Sequence, residues 1–126
     1  MICINKTATA TTVVSESNTA KTVGSGNLDV FATPMMVALM EQAACECLAS
    51  DLEPQQTSVG TLVNVTHIAA SAIGTEITAS AKIVKVDGRK VCFDIHAFDG
   101  TSEIGSGTHE RFIIDAERFM QKLKQQ

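Results

Sequence analysis

The sequence predicts an α+β fold in which a curved antiparallel sheet wraps one long, buried helix. The first observation is a mostly apolar stretch from Pro34 to Ala49 that contains no Gly and no further Pro. The second is a change of hydrophobic period after this stretch, from 3.6 residues to 2. The third is a pair of Asp-Gly steps between alternating segments, which is a strong hairpin signal. A chain of 126 residues suits one domain, residues 1–126.

The segment before the helix is polar and poor in structure signals. Residues 1–22 are rich in Thr, Ser and Ala, and only Thr11–Val14 suggests a strand. Val23–Val30 carries two glycines among polar residues, so we expect a mobile loop that leads into the helix.

The helix is predicted to start at Thr33-Pro34, with Thr33 as the N-cap and Pro34 at the first helical position. Its apolar side chains cover most of the circumference, and Gln42 and Glu46 form one narrow polar strip. Glu41 lies about 100° from that strip, among apolar neighbours. A carboxylate there is costly unless it is paired or used, which makes Glu41 the best functional clue in the sequence.

A four-strand antiparallel meander is predicted after the helix. The predicted strands are Ser58–Ile68, Glu76–Val86, Lys90–Phe98 and Ser102–Ile114, and a short helix, Ala116–Lys124, follows them. Ile73-Gly74, Asp87-Gly88 and Asp99-Gly100 are the expected turns. One flat sheet cannot cover a helix that is apolar on nearly all sides, so we expect a curved sheet and a homodimer.

Composition narrows the class of protein. The net charge is −4 and there is no dense basic run, so nucleic acid is not an expected partner. The apolar helix is too short and too interrupted to cross a membrane. The four cysteines form no CxxC pair and no signal pattern begins the chain, so we expect reduced thiols and a cytoplasmic protein.

Three residues are candidates for chemistry: Thr33, Glu41 and His67. Each has a structural alternative, namely a helix cap, a paired structural ion and a satisfied core histidine. His96 and His109 belong to no recognisable metal-ligand pattern, so no metal site is expected.

A basic cluster surrounds the first Asp-Gly hairpin. It contains Lys82, Lys85, Arg89 and Lys90. The cluster is either a solvated hairpin tip or a landing surface for a phosphorylated ligand.

Three segments together resemble the hotdog-fold thioesterases, specifically the fluoroacetyl-CoA thioesterase-like family. They are ATPMMVALMEQAA, SVGTLVNVTHIAA and HAFDGTSEIGSGTHERFII. The resemblance implies a dimer of hotdog subunits that hydrolyses a small acyl-CoA thioester without a cofactor. It also implies that Thr33, Glu41 and His67 are the catalytic trio and that Gly60 and Arg111 line the acyl pocket.

The leading hypothesis is therefore hydrolysis of a short-chain acyl-CoA to the free acid and coenzyme A. Lys85, Arg89 and Lys90 would attract the phosphates of coenzyme A. The alternatives are a non-catalytic acyl-CoA binding or sensing protein on the same fold and, from another enzyme class, a hydratase or dehydratase. Fluoroacetate-specific members carry Phe residues before the helix as a lid, whereas Gly24–Val30 contains none. We therefore expect an open entrance and no strong preference for the fluorinated substrate.

Overall fold

The computed structural model describes residues 1–125, and it contains five strands and three helices within that range. The elements are β1 (Thr7–Val13), α1 (Ala20–Val23), α2 (Thr33–Ala49), β2 (Gln56–His67), β3 (Glu76–Asp87), β4 (Lys90–Asp99), β5 (Ser102–Asp115) and α3 (Ala116–Lys124). The predicted central helix, the four later strands and the terminal helix are confirmed to within two residues. The first strand is longer than predicted, and the short α1, which was not predicted, ends at Val23, where the expected loop begins.

The strands form one antiparallel sheet in the order β1-β3-β4-β5-β2. The predicted four-strand meander is wrong, because only β3, β4 and β5 follow one another in space. β1 pairs with β3 and takes the position that a meander would give to β2. β2 instead crosses to the other side of the sheet, pairs with β5 and leaves its outer edge unpaired within the described residues.

Both Asp-Gly steps form tight hairpins, with a shift of one residue from the prediction. Asp87 pairs with Lys90 and Asp99 pairs with Ser102, so each loop begins with the glycine instead of ending with it. Gly88 has φ 61° and Gly100 has φ 60°, as a glycine at the first loop position of a type II′ turn requires.

The core lies between α2 and the concave face of the sheet. The faces predicted for β3 and β4 are confirmed, and their inward side chains are fully buried. They are Ile77, Ala79, Ala81, Ile83, Val91, Phe93, Ile95 and Ala97. Because α2 contacts both edge strands, β1 and β2, the sheet must curve around it.

The helix is less buried than its composition suggests. Met36, Met40 and Ala43 are fully buried, whereas Ala38 and Cys45 face solvent in the single chain. The uncovered side of α2 carries Gln42 and Glu46, the predicted polar strip, next to these small apolar residues. None of the helices in residues 1–125 is long and apolar enough to cross a membrane.

The prediction that Thr33 caps α2 is wrong. The N-cap is Ala32, which has extended backbone dihedrals and cannot offer a side-chain acceptor, and Thr33 is the first residue of the helix. The amide groups of Met35 and Met36 both donate to the Ala32 carbonyl, at 3.0 Å each. The Thr33 hydroxyl is consequently free for another contact.

Candidate active site

The Thr33 hydroxyl contacts His67 at the place where β2 ends beside the start of α2. Thr33 Oγ1 lies 2.7 Å from His67 Nδ1. The second ring nitrogen, Nε2, is buried and has no hydrogen-bond partner of good geometry among residues 1–125. Burial lowers the pKa of His67, and the Ala69 backbone partly offsets that effect. A neutral imidazole at pH 7 is therefore favoured, which suits a group that accepts and returns a proton.

A small cavity of about 250 Å³ opens beside this pair. Its wall is mostly apolar and includes Val30, Phe31 and Ile68, with Thr33 and His67 as polar members. A short acyl chain matches such a space in size and polarity.

Glu41 forms an ion pair with Arg111 on β5. Arg111 Nη1 donates to Glu41 Oε2 at 2.9 Å, and the side chains are 7% and 37% exposed for Arg111 and Glu41, respectively. The guanidinium also donates from Nε to Ser58 Oγ at 2.8 Å and from Nη2 to the Ser58 carbonyl at 3.1 Å. A buried cation that is held at three points gives the carboxylate a fixed position. Glu41 is therefore paired and partly exposed. The apolar surroundings predicted for it account for only part of its contacts, because Arg111 and solvent also lie beside it.

Gly60 permits this ion pair because it has no side chain. A Cβ atom at residue 60 would lie 2.5 Å from Glu41 Oε2 and 3.3 Å from Arg111 Nη1. Gly60 and Arg111 are also directly opposite each other in the β2–β5 register. The two residues expected at the acyl pocket thus both contact the Glu41 carboxylate.

His109 is a site residue that the sequence reasoning missed. It is fully buried, its Nδ1 donates to the Leu62 carbonyl at 2.8 Å, and its Nε2 accepts from Arg111 Nη1 at 3.2 Å. Burial is the largest cause that lowers the pKa of His109, and the Arg111 charge adds to it. The signal was available in the His-x-Arg spacing on a strand, which puts both side chains on one face.

Within one chain, the predicted trio is divided between two places. Thr33 and His67 are together, whereas Glu41 is eight residues further along α2. At about 1.5 Å per residue, that separation is roughly 12 Å along the helix axis. The structure therefore contains a Thr33–His67 pair and a separate cluster of Glu41, Gly60, Arg111 and His109.

The basic residues of the β3–β4 hairpin have different surroundings. Lys90 Nζ lies 3.7 Å from a carboxylate oxygen of Glu110. Arg89 lines a cavity of about 510 Å³ beside α3, and Lys85 is exposed on β3. These three side chains do not form one compact site.

No cluster of three metal-ligating side chains occurs in residues 1–125, and all four cysteines are free thiols. Within the described part of the chain, Glu41 has Arg111 as its polar partner and His67 has Thr33.

A model of the fluoroacetyl-CoA-specific thioesterase family, FlK, matches residues 14–117. The chain belongs to this family. A fluoroacetyl-CoA thioesterase from Streptantibioticus cattleyicolor is 46% identical over 97 residues, which cover 77% of this chain and 70% of that protein. The resemblance noted in the sequence is confirmed.

Solved structures support the same assignment. The fluoroacetyl-CoA thioesterase FlK superposes with a TM-score of 0.93 at 37% identity, covering 100% of this chain and 98% of that one. A hot-dog-like protein from Thermanaerovibrio acidaminovorans is 24% identical and superposes with a TM-score of 0.87. The superposition covers 97% of this chain and 90% of that protein. The predicted hotdog thioesterase fold is confirmed.

Proposed function

We propose that this member of the family hydrolyses short-chain acyl-CoA thioesters to the free acid and coenzyme A. The observation that carries the proposal is the position of the Glu41 carboxylate. Arg111 binds one of its oxygens, and Gly60 leaves room for that oxygen because it has no side chain. The other oxygen, Oε1, makes no hydrogen bond within residues 1–125 and is available to a substrate or to water. A fixed, ionised carboxylate with one free oxygen can act as a nucleophile or as a general base.

Both routes use the same groups. As a nucleophile, Glu41 attacks the thioester carbonyl, the C–S bond breaks, and water then hydrolyses the acyl-enzyme anhydride. As a general base, Glu41 takes a proton from the water that attacks. In either route the neutral Thr33–His67 pair can accept a proton from the water that is consumed and pass it to the coenzyme A thiolate, and the uncapped start of α2 adds partial positive charge near the carbonyl oxygen.

A homodimer would bring the two clusters together. β2 carries both Gly60, against Glu41, and His67, and its outer edge is free to pair with a second copy. Antiparallel pairing about a two-fold axis between Val63 and Asn64 would put Gly60 opposite the partner's His67. Leu62 and Val63 are 43% and 38% exposed, so this edge also has apolar surface to bury. We therefore propose that each active site contains Glu41 of one subunit and the Thr33–His67 pair of the other.

Mixing two inactive variants tests the shared site. Glu41→Gln and His67→Ala should each abolish turnover as homodimers. If subunits share sites, a mixed dimer keeps one intact site, so random reassortment should restore about a quarter of wild-type activity. No recovery after verified subunit exchange would show that each site lies within one chain, and a monomer by light scattering would refute the dimer.

A panel of acyl-CoA thioesters with free thiol as the readout tests the reaction itself. Steady-state thiol release supports hydrolysis. Binding without turnover would favour the alternative, a non-catalytic acyl-CoA sensor. Addition of water to an enoyl-CoA without thiol release would favour a hydratase.

We further propose that residues 1–126 form one thioesterase domain that acts in the cytoplasm on acyl-CoA, without nucleic acid or membrane partners. The four free thiols fit a reducing compartment. Of Lys85, Arg89 and Lys90, we keep Arg89 as a proposed contact for the coenzyme A phosphates, because it lines the cavity beside α3.

A further inference from the structure

We propose that the nucleotide end of coenzyme A binds in the cavity beside α3, with Arg89, Arg118 and Lys122 as its phosphate contacts. The inference rests on the proposed function and gives the substrate's phosphates a specific site. The cavity measures about 510 Å³ and is larger than the cavity beside His67, at about 250 Å³.

The cavity concentrates unpaired positive charge in an acidic protein. The chain has only 10 Lys and Arg residues and a net charge of −4. Three of those cations line this one cavity, and none of the three forms an ion pair within residues 1–125. Asp115 is the only acidic residue in the wall, and one of its oxygens already accepts from the Arg118 amide at 3.1 Å as the α3 N-cap.

The placement of Arg118 is unfavourable for the helix alone, whereas Lys122 lies in the last turn of α3. Arg118 and Lys122 are four residues apart, so two like charges are neighbours on one face of α3. Arg118 also lies near the N-terminus, where the helix dipole disfavours a cation. A bound polyanion would turn both unfavourable interactions into favourable ones.

The remaining wall suits a nucleotide. Phe119 gives an aromatic surface for an adenine ring, and the Gln55 and Gln56 side chains give donors and acceptors for its edge. Backbone hydrogen bonds hold the walls in place: the Ile113 amide donates to the Arg89 carbonyl at 2.9 Å, and the Ala116 amide donates to the Gln55 carbonyl at 3.0 Å.

The distance to the reactive carboxylate fits the pantetheine arm. Arg111, which holds Glu41, is four residues before Asp115 on β5, or roughly 13 Å along the strand. The arm of coenzyme A is equivalent to about four peptide units, or roughly 14 Å when extended. A groove of about 420 Å³ between α2 and the start of β2 includes both Ser58, which contacts Arg111, and Gln56, which also lines the cavity.

A charge-matched pair of double variants tests the site. R118S/K122S removes two cavity cations, and K21S/K124S removes two exposed cations that do not line the cavity. Circular dichroism checks that both remain folded. Titration calorimetry at low salt measures the binding of coenzyme A, adenosine 3′,5′-bisphosphate and inorganic phosphate, and thiol release measures turnover of acetyl-CoA and of S-acetylpantetheine, which has no phosphate.

We expect R118S/K122S to raise Kd for coenzyme A and KM for acetyl-CoA by about ten-fold. Its kcat and its turnover of S-acetylpantetheine should match wild type, because the lost contacts are equal in the ground and transition states. K21S/K124S should bind coenzyme A as wild type does.

Four results would overturn the site: an unchanged Kd in R118S/K122S, an equal loss of affinity in K21S/K124S, an equal loss of S-acetylpantetheine turnover, or inorganic phosphate that binds as tightly as coenzyme A. If wild type releases no thiol from any acyl-CoA, the proposed function fails. The calorimetric comparison still decides the binding site in that case.

Discussion

Replacing Glu41 with glutamine separates its chemical role from its structural one. The amide has the same shape and keeps an oxygen that can accept from Arg111, but it has no charge and cannot attack a thioester or accept a proton. The matched control is Glu76→Gln, the same change at an exposed position at the start of β3.

The cost to folding follows from the geometry of the ion pair. Breaking a fully buried pair costs about 3–5 kcal/mol. Glu41 is 37% exposed and the hydrogen bond from Arg111 can persist, so we expect a loss of only about 1–2 kcal/mol in the free energy of unfolding. A domain of this size has roughly 5–15 kcal/mol available, so the variant should stay folded.

The cost to catalysis should be far larger. Loss of the nucleophile or general base should lower kcat for acetyl-CoA by about 10³-fold or more. Thermal unfolding and steady-state thiol release on the same preparations measure the two effects. A folded Glu41→Gln protein with kcat within about three-fold of the Glu76→Gln control would show that Glu41 is a structural ion.

Three further predictions concern Gly60, pH and the acyl group. Gly60→Ala should displace Glu41 Oε2, which would lie 2.5 Å from the new Cβ, and should lower kcat by about 10²-fold with the protein still folded; wild-type kinetics would disprove the close contact. The fold lowers the pKa of both His109 and His67 from the ordinary histidine value of 6.5. Below about pH 6.5 the unfolded chain therefore takes up protons that the folded chain does not. Stability should therefore fall as pH decreases from 7 through 6.5, and His109→Gln should flatten that slope in urea titrations; equal slopes would show that His109 does not contribute. One more methylene in the acyl group should change kcat/KM by a factor that corresponds to only about 1–3 kcal/mol, as measured with acetyl-, propionyl- and butyryl-CoA. A preference of several orders of magnitude for fluoroacetyl-CoA over acetyl-CoA would refute the open-entrance argument.

Local patterns in the sequence predicted the elements well because each depends on near neighbours. The alternation in β3 and β4 identified their buried faces, and the Asp-Gly steps located both hairpins. The position of β2 could not be predicted in this way, because strand order depends on which edges other strands occupy. β1, which has weak sequence signals, takes the edge of β3 and leaves β2 beside β5.

Pairing across the sheet also decided what surrounds Glu41. Arg111 is 70 residues away in sequence, so its role as the counter-ion depends on the β2–β5 register that puts it opposite Gly60. The prediction of the α2 cap residue was wrong for a related reason. Thr33 has the right chemistry for a cap, but Ala32 takes that position and the hydroxyl contacts His67, 34 residues later.

The division of the trio has a physical consequence for the enzyme. The helix holds the Thr33 and Glu41 backbones roughly 12 Å apart along its axis, and within one chain their side chains contact different partners. The same strand, β2, carries the contact partner of each: Gly60 for the carboxylate and His67 for the hydroxyl. The outer edge of β2, which is unpaired within residues 1–125, is therefore where we propose that two copies meet. The proposed dimer would therefore take part in catalysis, and substitutions that weaken the β2 edge should lower kcat even when Thr33, Glu41 and His67 are intact.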